Sequence, residues 1–319
     1  MGSIKRYKNN RRVSLFPVEI EPILSLQEAK QKAGWNITAF NLPEPWKISR
    51  GEGVKVAVLD TGVDLSHPDL IDNLLPGMNF INKRQPPEDR NGHGCHVAGI
   101  IAATNNDIGM VGVAPEAKIV PVKVLDDNGS GSTKATADGI RWAVDVAQVD
   151  IICMSLGAPF FLPDVYRSIK YAFKKNIPCF VAAGNAGKTK EVFYPANYAE
   201  TIAIGSIDEN FDRSSFSNTG MNLDFMAPGN KIFSSVPKSW YAIMSGTSQA
   251  TPFVAGAAAL LLSYKKKNPN SIQLNCVEDY RIAFRKNSKS VNNMKWKDQK
   301  FYQGFGIIDP VKLMNDLKS

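Results

Sequence analysis

Short apolar runs alternate with longer amphipathic segments between about residues 54 and 210. The runs are rich in β-branched residues, which indicates buried strands. They cover residues 54–59, 119–125, 151–154, 179–183 and 201–204. Pro121 lies inside the second run and counts against a central position for that strand, because proline cannot donate to a strand ladder.

Between these runs, apolar residues recur at helical spacing in residues 135–147 and 165–175, which predicts two helices. Strands that alternate with helices favour an α/β fold, with a mostly parallel central sheet flanked by helices on both faces. Catalytic groups in such sheets lie beyond the carboxyl ends of the strands. Asp60, Ser155 and Asn185 each stand at such a position.

The flanking segments differ in character from this alternating part. Residues 1–46 are predicted to form an N-terminal extension, and residues 47–319 one domain that includes a basic C-terminal tail. The tail is polar and rich in lysine and asparagine after about residue 268. A short helix is expected after Pro310.

The charge pattern changes this picture little. The formal net charge is +8, but the basic residues concentrate in residues 5–12 and from Lys265 onward. This distribution is typical of solvated termini, so no nucleic-acid partner is expected. The longest strongly apolar stretch, residues 253–262, is too short to span a bilayer, so no membrane partner is expected.

The cysteines and the N-terminal sequence bear on location. Cys95, Cys153, Cys179 and Cys276 show neither disulfide nor zinc spacing, which suits a reducing compartment. Prolines and glutamates interrupt residues 14–22, unlike the apolar core of a signal peptide. We therefore expect a cytoplasmic protein.

Three segments together can carry nucleophilic catalysis. Asp60 ends an apolar run, His93 lies between glycines at a helix start, and Ser248 lies at another helix start. A serine hydroxyl must lose its proton to a positioned base, and histidine suits because its pKa lies near neutrality. A carboxylate then fixes the imidazole tautomer and stabilises the imidazolium. Asn185 follows a buried strand and can donate to a developing oxyanion.

These four motifs, in the order Asp, His, Ser, resemble the subtilisin family from about Trp46 to Leu262, with a weaker echo at residues 304–310. The resemblance implies a three-layer subtilisin-like fold and a serine endopeptidase that works through an acyl-enzyme. It implies that Asp60 orients His93, that His93 is the general base and then acid, and that Ser248 is the nucleophile. Asn185 and the Ser248 N–H would form the oxyanion hole.

The same resemblance implies a peptide or protein substrate, a calcium site and no organic cofactor. Two backbone segments would clamp the substrate as an added strand, and a pocket would take the side chain before the cleaved bond. The implied substrate-binding residues are Gly129, Ser130, Gly131, Ser155, Leu156, Gly157 and Phe193. A Phe193 ring that points inward would make the pocket shallow and favour a small side chain. The implied calcium ligands are Asp69, Asn106 and the carbonyls of Thr104, Ile108 and Met110.

Within the family, the chain is most similar to the bacterial intracellular subtilisins. Residues 15–18 resemble the short segment that blocks the active site in that group, which predicts self-inhibition. A homodimer is also allowed. Cys95 replaces a threonine two residues after His93, and a mercurial reagent is expected to inactivate the enzyme there.

Other interpretations remain open. Residues 182–189 nearly form a phosphate-binding loop, but the first glycine is missing and no helix start follows. A dedicated processing peptidase, such as a lanthipeptide leader peptidase, is an alternative to general turnover, since a basic surface suits an acidic leader. An inactive peptide-binding relative is a third possibility.

Overall fold

The computed structural model describes residues 12–17, 19–25, 30–187, 190–292 and 299–318. The helices are α1 Trp35–Thr38, α2 Pro43–Trp46, α3 His93–Ala102, α4 Thr133–Asp145, α5 Pro163–Lys174, α6 Thr247–Lys267, α7 Val277–Lys286, α8 Gln299–Gln303 and α9 Pro310–Asn315. The strands are β1 Arg12–Ser14, β2 Glu19–Ser25, β3 Lys55–Asp60, β4 Met78–Asn79, β5 Lys118–Lys123, β6 Ser130–Ser132, β7 Ile151–Met154, β8 Cys179–Ala182, β9 Ile202–Ile207, β10 Phe225–Pro228, β11 Ile232–Val236, β12 Trp240–Ser245, β13 Ser288–Lys289 and β14 Ile307–Ile308.

The main sheet of the described residues has nine strands in the order β13-β14-β10-β9-β8-β7-β3-β5-β4. Every neighbouring pair is parallel except β13 with β14. The helices α3 and α6 pack against each other and the sheet, and α4 and α5 form a second packed pair. The predicted α/β class with a mostly parallel sheet is therefore confirmed.

The five predicted strands correspond to β3, β5, β7, β8 and β9, and the two predicted helices to α4 and α5. Pro121 does lie inside β5, opposite Val58 of β3. The Pro121 carbonyl faces Gly77, because a Cβ atom added to Gly77 would lie 2.2 Å from the Pro121 carbonyl oxygen. Residue i of a parallel strand directs its N–H and C=O to the same side. The missing N–H of Pro121 therefore faces the two-residue edge strand β4 and not β3, so the ladder between β3 and β5 loses no hydrogen bond.

The sheet carries the site because its central strands end together. The strands β3, β7 and β8 are adjacent and parallel, so Asp60, Ser155 and the segment leading to Asn185 lie together at the edge of the sheet where the carboxyl ends of these strands meet. Helix α6 is buried along most of its length and begins beside this edge, at Thr247. Among the described residues, no helix is both long and apolar enough to cross a bilayer.

The N-terminal strap, defined here as residues 12–17 and 19–25, contains two strands that belong to different sheets. β1 pairs with β6, and β2 adds a third strand to the β11–β12 hairpin. Further along, Ile37, Phe40 and Leu42 are buried in the main hydrophobic core. The domain boundary near residue 46 stays a prediction.

Candidate active site

Asp60 and His93 form a buried hydrogen-bonded pair. Asp60 is the last residue of β3, and His93 is the first residue of α3. Their Oδ1 and Nδ1 atoms are 2.8 Å apart, and the two side chains are 0% and 2% exposed. Gly92, just before His93, has a φ of 108°, which favours glycine at this sharp helix start. The carboxylate holds the imidazole so that Nδ1 faces it, and His93 Nε2 has no hydrogen-bond partner in the described part of the chain.

Ser248 lies in the first turn of α6 and contacts Ser155 reciprocally. Ser155 Oγ donates to the Ser248 carbonyl at 2.8 Å, and Ser248 Oγ donates to the Ser155 carbonyl at 3.3 Å. Pro252 lacks the N–H that would bind the Ser248 carbonyl inside the helix, which leaves this acceptor for Ser155. The structure thus joins Asp60 to His93, and it directs the Ser248 hydroxyl at Ser155 rather than at the imidazole.

Asn185 has an amide whose orientation is fixed by Thr247. Its Oδ1 accepts from the Thr247 N–H at 2.9 Å and from the Thr247 hydroxyl at 2.8 Å. The Nδ2 group therefore faces the other way, where it donates to the Pro17 carbonyl at 2.8 Å. A carbonyl oxygen is thus already bound to the amide that sequence reasoning assigns to the oxyanion hole.

Four of the six backbone residues expected to clamp a substrate contact the strap, and they do so from two sides. β1 runs antiparallel to β6, with Val13 opposite Gly131 and Ser14 opposite Ser130. Leu15 N donates to the Gly129 carbonyl at 2.9 Å. On the other side, Ser14 and Gly157 exchange two hydrogen bonds of 3.2 and 3.0 Å. Residues 129–131 and Gly157 therefore hold an extended segment between them, while Leu156 is wholly buried in the core.

Phe193 packs against a buried aromatic ring of the strap. Its ring lies 5.9 Å from the ring of Phe16, which is only 5% exposed. Gly157 lies against the same ring, since an added Cβ there would lie 2.8 Å from Phe16 Cζ. A complete phenyl group thus fits between Phe193 and Gly157, and the preference for a small side chain stays a prediction.

Asp89 is a buried acceptor that sequence reasoning missed. Its Oδ1 accepts from the Thr61 hydroxyl at 2.9 Å and from Asn91 N and Gly92 N, and its Oδ2 accepts from Cys95 N at 2.9 Å. The Thr61 hydroxyl in turn accepts from Gly94 N at 3.0 Å. Asp89 therefore connects the residue after Asp60 to the helix start that carries His93. An aspartate four residues before the histidine was the available signal.

The expected reactivity of Cys95 is not supported by its surroundings. Its side chain is fully buried, and burial, with Asp89 nearby, raises the pKa of the thiol well above its usual value. The thiolate is the form that reacts with thiol reagents. Reaction in the folded protein should therefore be slow.

Four of the expected calcium ligands lie close together. Asn106 Nδ2 is 3.4 Å from Asp69 Oδ1. Gln31, which sequence reasoning missed, places Nε2 3.1 Å from the Thr104 carbonyl and 3.2 Å from the Met110 carbonyl. Within the described part of the chain, the Ile108 carbonyl accepts no hydrogen bond from this group.

This oxygen-rich cluster fits a hard cation. A half-turn of the Gln31 or Asn106 carboxamide exchanges nitrogen and oxygen and turns oxygen toward the cluster. Carbonyl, carboxamide and carboxylate oxygens are the ligands of calcium. The described residues contain no group of three or more His, Cys, Asp and Glu side chains that could hold a metal.

Comparison with known proteins places the chain in a family. Residues 51–306 match the model described as "Subtilase family". An "Intracellular serine protease" of Paenibacillus polymyxa is 44% identical over 261 residues, which is 79% of this chain and 78% of that protein. The "Major intracellular serine protease" of Bacillus subtilis is 43% identical over 270 residues, 81% of this chain and 83% of that protein. "Thermitase" of Thermoactinomyces vulgaris is 45% identical over 229 residues, 72% and 81% respectively. The chain belongs to the subtilase family and is a subtilisin-like serine protease.

Proposed function

We propose that the chain is an endopeptidase in which Asp60, His93 and Ser248 form the catalytic triad. The observation that carries this proposal is the 2.8 Å hydrogen bond between Asp60 and His93, at the sheet edge where α6 begins. Rotation of the Ser248 hydroxyl away from Ser155 would present it to His93 Nε2, which has no other partner among the described residues. His93 would take the hydroxyl proton as Ser248 attacks the scissile carbonyl, and would then protonate the leaving amine.

Asn185 and the N–H of Ser248 would stabilise the tetrahedral oxyanion. The Asn185 amide is held by Thr247 before any substrate arrives, so little reorganisation is needed when charge develops. The substrate would lie between residues 129–131 and Gly157 as an added strand, as the strap does. Phe193 and Gly157 would line the pocket for the side chain before the cleaved bond.

The strap would inhibit the enzyme by binding out of register. In a productive complex, the residue whose side chain fills the pocket also supplies the carbonyl that is attacked. Here Phe16 fills the pocket, while Asn185 holds the carbonyl of Pro17. The strap therefore occupies the cleft without presenting a correctly placed bond.

Calcium would stabilise the loop of residues 104–110 against Gln31 and Asp69. When bound, the ion would neutralise a half-enclosed group of oxygens and fix the loop. It would take no part in the reaction. Gln31 would also fasten the chain that follows the strap.

The biological role would be proteolysis inside the cell. The support is the similarity to two proteins whose names describe intracellular serine proteases. Cleavage of casein at many sites favours general turnover. Inertness toward casein with one cut in a defined precursor favours a processing peptidase, for which no comparison gives support.

The experiment is to release the strap from the pocket. Phe16→Asp in the full chain places a carboxylate in an apolar pocket, and we expect casein hydrolysis to rise at least about tenfold, the result of losing about 1.4 kcal/mol of strap binding. Ser14→Asp adds the same charge at an exposed position of β1 and should behave as the unaltered chain. Deleting residues 1 to 20 should raise activity as Phe16→Asp does. If neither Phe16→Asp nor the deletion variant hydrolyses casein or a peptide library, the endopeptidase proposal fails. If Phe16→Asp is no more active than Ser14→Asp, self-inhibition fails.

A further inference from the structure

The second half of the strap covers an edge of the hairpin that leads to Ser248. β2 pairs antiparallel with β12, with Glu19 opposite Ser245, Ile20 opposite Met244 and Glu21 opposite Ile243. After an irregularity, the pairing continues to Ser25 opposite Trp240. β12 ends three residues before Ser248, so this edge begins at the reacting group and leads away from it.

Without β2, β12 would be an outer strand. The order of this sheet is β11-β12-β2, so β11 occupies one side of β12 and β2 is its neighbour on the other side among the described residues. An open edge presents a row of N–H and C=O groups that can pair with another extended chain. The strap demonstrates that an extended segment leaving the cleft fits this edge.

We propose that the β12 edge binds the part of a substrate that follows the scissile bond. The proposal rests on the protease function and on release of the strap. Counted from the carbonyl that Asn185 holds, Glu19 is the second residue and Ser25 the eighth. A substrate that follows the same path adds its second to eighth residues after the cleaved bond to β12, antiparallel, from Ser245 toward Trp240.

The chemistry of this edge defines the substrate class. Strand addition uses main-chain hydrogen bonds and therefore tolerates many sequences, but it requires an extended, unpaired segment. Ile20 of β2 is 60% exposed and Trp240 of β12 is 44% exposed, so these large side chains do not enclose a pocket. The surface selects long, unfolded polypeptides over short peptides and over folded proteins.

Binding to an inactive full-length chain tests this surface apart from catalysis. The chain carries Ser248→Ala, and Phe16→Asp, Ile20→Pro and Glu21→Pro release its own strap. The N–H groups of two successive strand residues face opposite sides, so one of those at residues 20 and 21 faces β12. Replacing both residues by proline therefore removes that N–H whichever of the two it is. The probes are fluorescein-labelled synthetic peptides with the sequences of residues 12–19 and 12–25.

We expect the longer peptide to bind at least about tenfold more tightly, the effect of two or three net backbone hydrogen bonds. Two further forms of it carry one N-methyl group, at Ile20 or at Glu21. One of these two amides faces β12 and the other faces solvent, so one methyl group should abolish the gain and the other should not. Hydrogen exchange of residues 240–245 should slow with the longer peptide and not with the shorter one.

Equal affinity of the two peptides, or equal effects of the two methyl groups, would overturn the proposal. Unchanged exchange of residues 240–245 would overturn it independently of the affinities. Hydrolysis by the same chain with Ser248 restored is measured separately. A chain that binds as expected but cuts nothing removes the protease function and leaves the surface in place.

Discussion

Asp89→Asn should reduce both stability and turnover, because Asp89 holds together the two segments that carry Asp60 and His93. The substitution replaces one acceptor oxygen by an NH₂ group. Oδ1 accepts from two backbone N–H groups and the Thr61 hydroxyl, and Oδ2 accepts from Cys95 N. In either orientation, the NH₂ group of the new asparagine therefore faces at least one backbone N–H, and two donors cannot bond to each other.

The magnitude follows from these contacts. A hydrogen bond to a charged group contributes about 1.5–3 kcal/mol, and a buried donor left unsatisfied costs a further 1–3 kcal/mol or so. We expect unfolding free energy to fall by about 2–4 kcal/mol. A misplacement near 1 Å of a catalytic group costs about 10²-fold, so kcat should fall by roughly 10- to 100-fold with KM nearly unchanged.

The assay combines urea unfolding with peptide hydrolysis, both in the Phe16→Asp background and well below the melting temperature. Asp164→Asn is the matched control, because Asp164 is half exposed and pairs with Arg167 at the surface. A variant at Asp89 with unaltered kcat and unaltered stability would refute the reasoning. If the Asp89→Asn variant is less stable but its kcat is unchanged at temperatures where it is folded, Asp89 does not position His93.

The remaining predictions concern pH, calcium, the oxyanion and the buried thiol. Burial, with His93 nearby, lowers the pKa of His96 to about 3 from 6.5, so the folded state favours the neutral ring. The stability that this provides is present above pH 6.5 and is lost as the pH falls toward 3, by up to about 1.4 kcal/mol per pH unit. When the free energy of unfolding is measured by urea at several pH values between 7 and 4, it should fall less steeply with pH in His96→Gln than in the unaltered chain. An equal fall in both chains would contradict this prediction. The melting temperature should be higher in calcium than in chelator, and this difference should be smaller in Gln31→Ala than in the unaltered chain. An identical difference in both chains would contradict the assignment of Gln31. Asn185→Ala should lower kcat by about 10²–10³, as measured for an oxyanion donor in a subtilisin, with little change in KM; unchanged kcat would exclude the proposed donor. Cys95 should react with a mercurial only in urea, and rapid titration of this thiol in the native protein would contradict its burial.

The sequence predicts the parts of this molecule that depend on local pattern. β-branched runs mark the strands of the sheet, and the strand ends place Asp60 and Asn185 at one edge because parallel strands share their direction. Glycines around His93 and the small residues before Ser248 mark two helix starts. The pairing of Asp60 with His93 is what the resemblance to the subtilisin family implies.

The remaining features depend on contacts between distant segments. Gln31 reaches the loop near residue 106 only because the chain after the strap lies against it, and no local pattern distinguishes this glutamine. The strand β1 has only three residues and β2 contains Pro22, so each owes its existence to a partner strand rather than to its own residues. The ring of Phe193 is oriented by Phe16, which is 177 positions earlier in the sequence. Asp89 could be noticed from the sequence, but its four donors appear only in the folded loop.

Labelling with a fluorophosphonate tests the central claim that His93 activates Ser248. We expect the Phe16→Asp chain to take up one label, located at Ser248 by mass spectrometry of its peptides, and we expect His93→Ala in the same background to take up essentially none. Labelling at another residue, or equal labelling with and without the imidazole, would contradict the proposed triad.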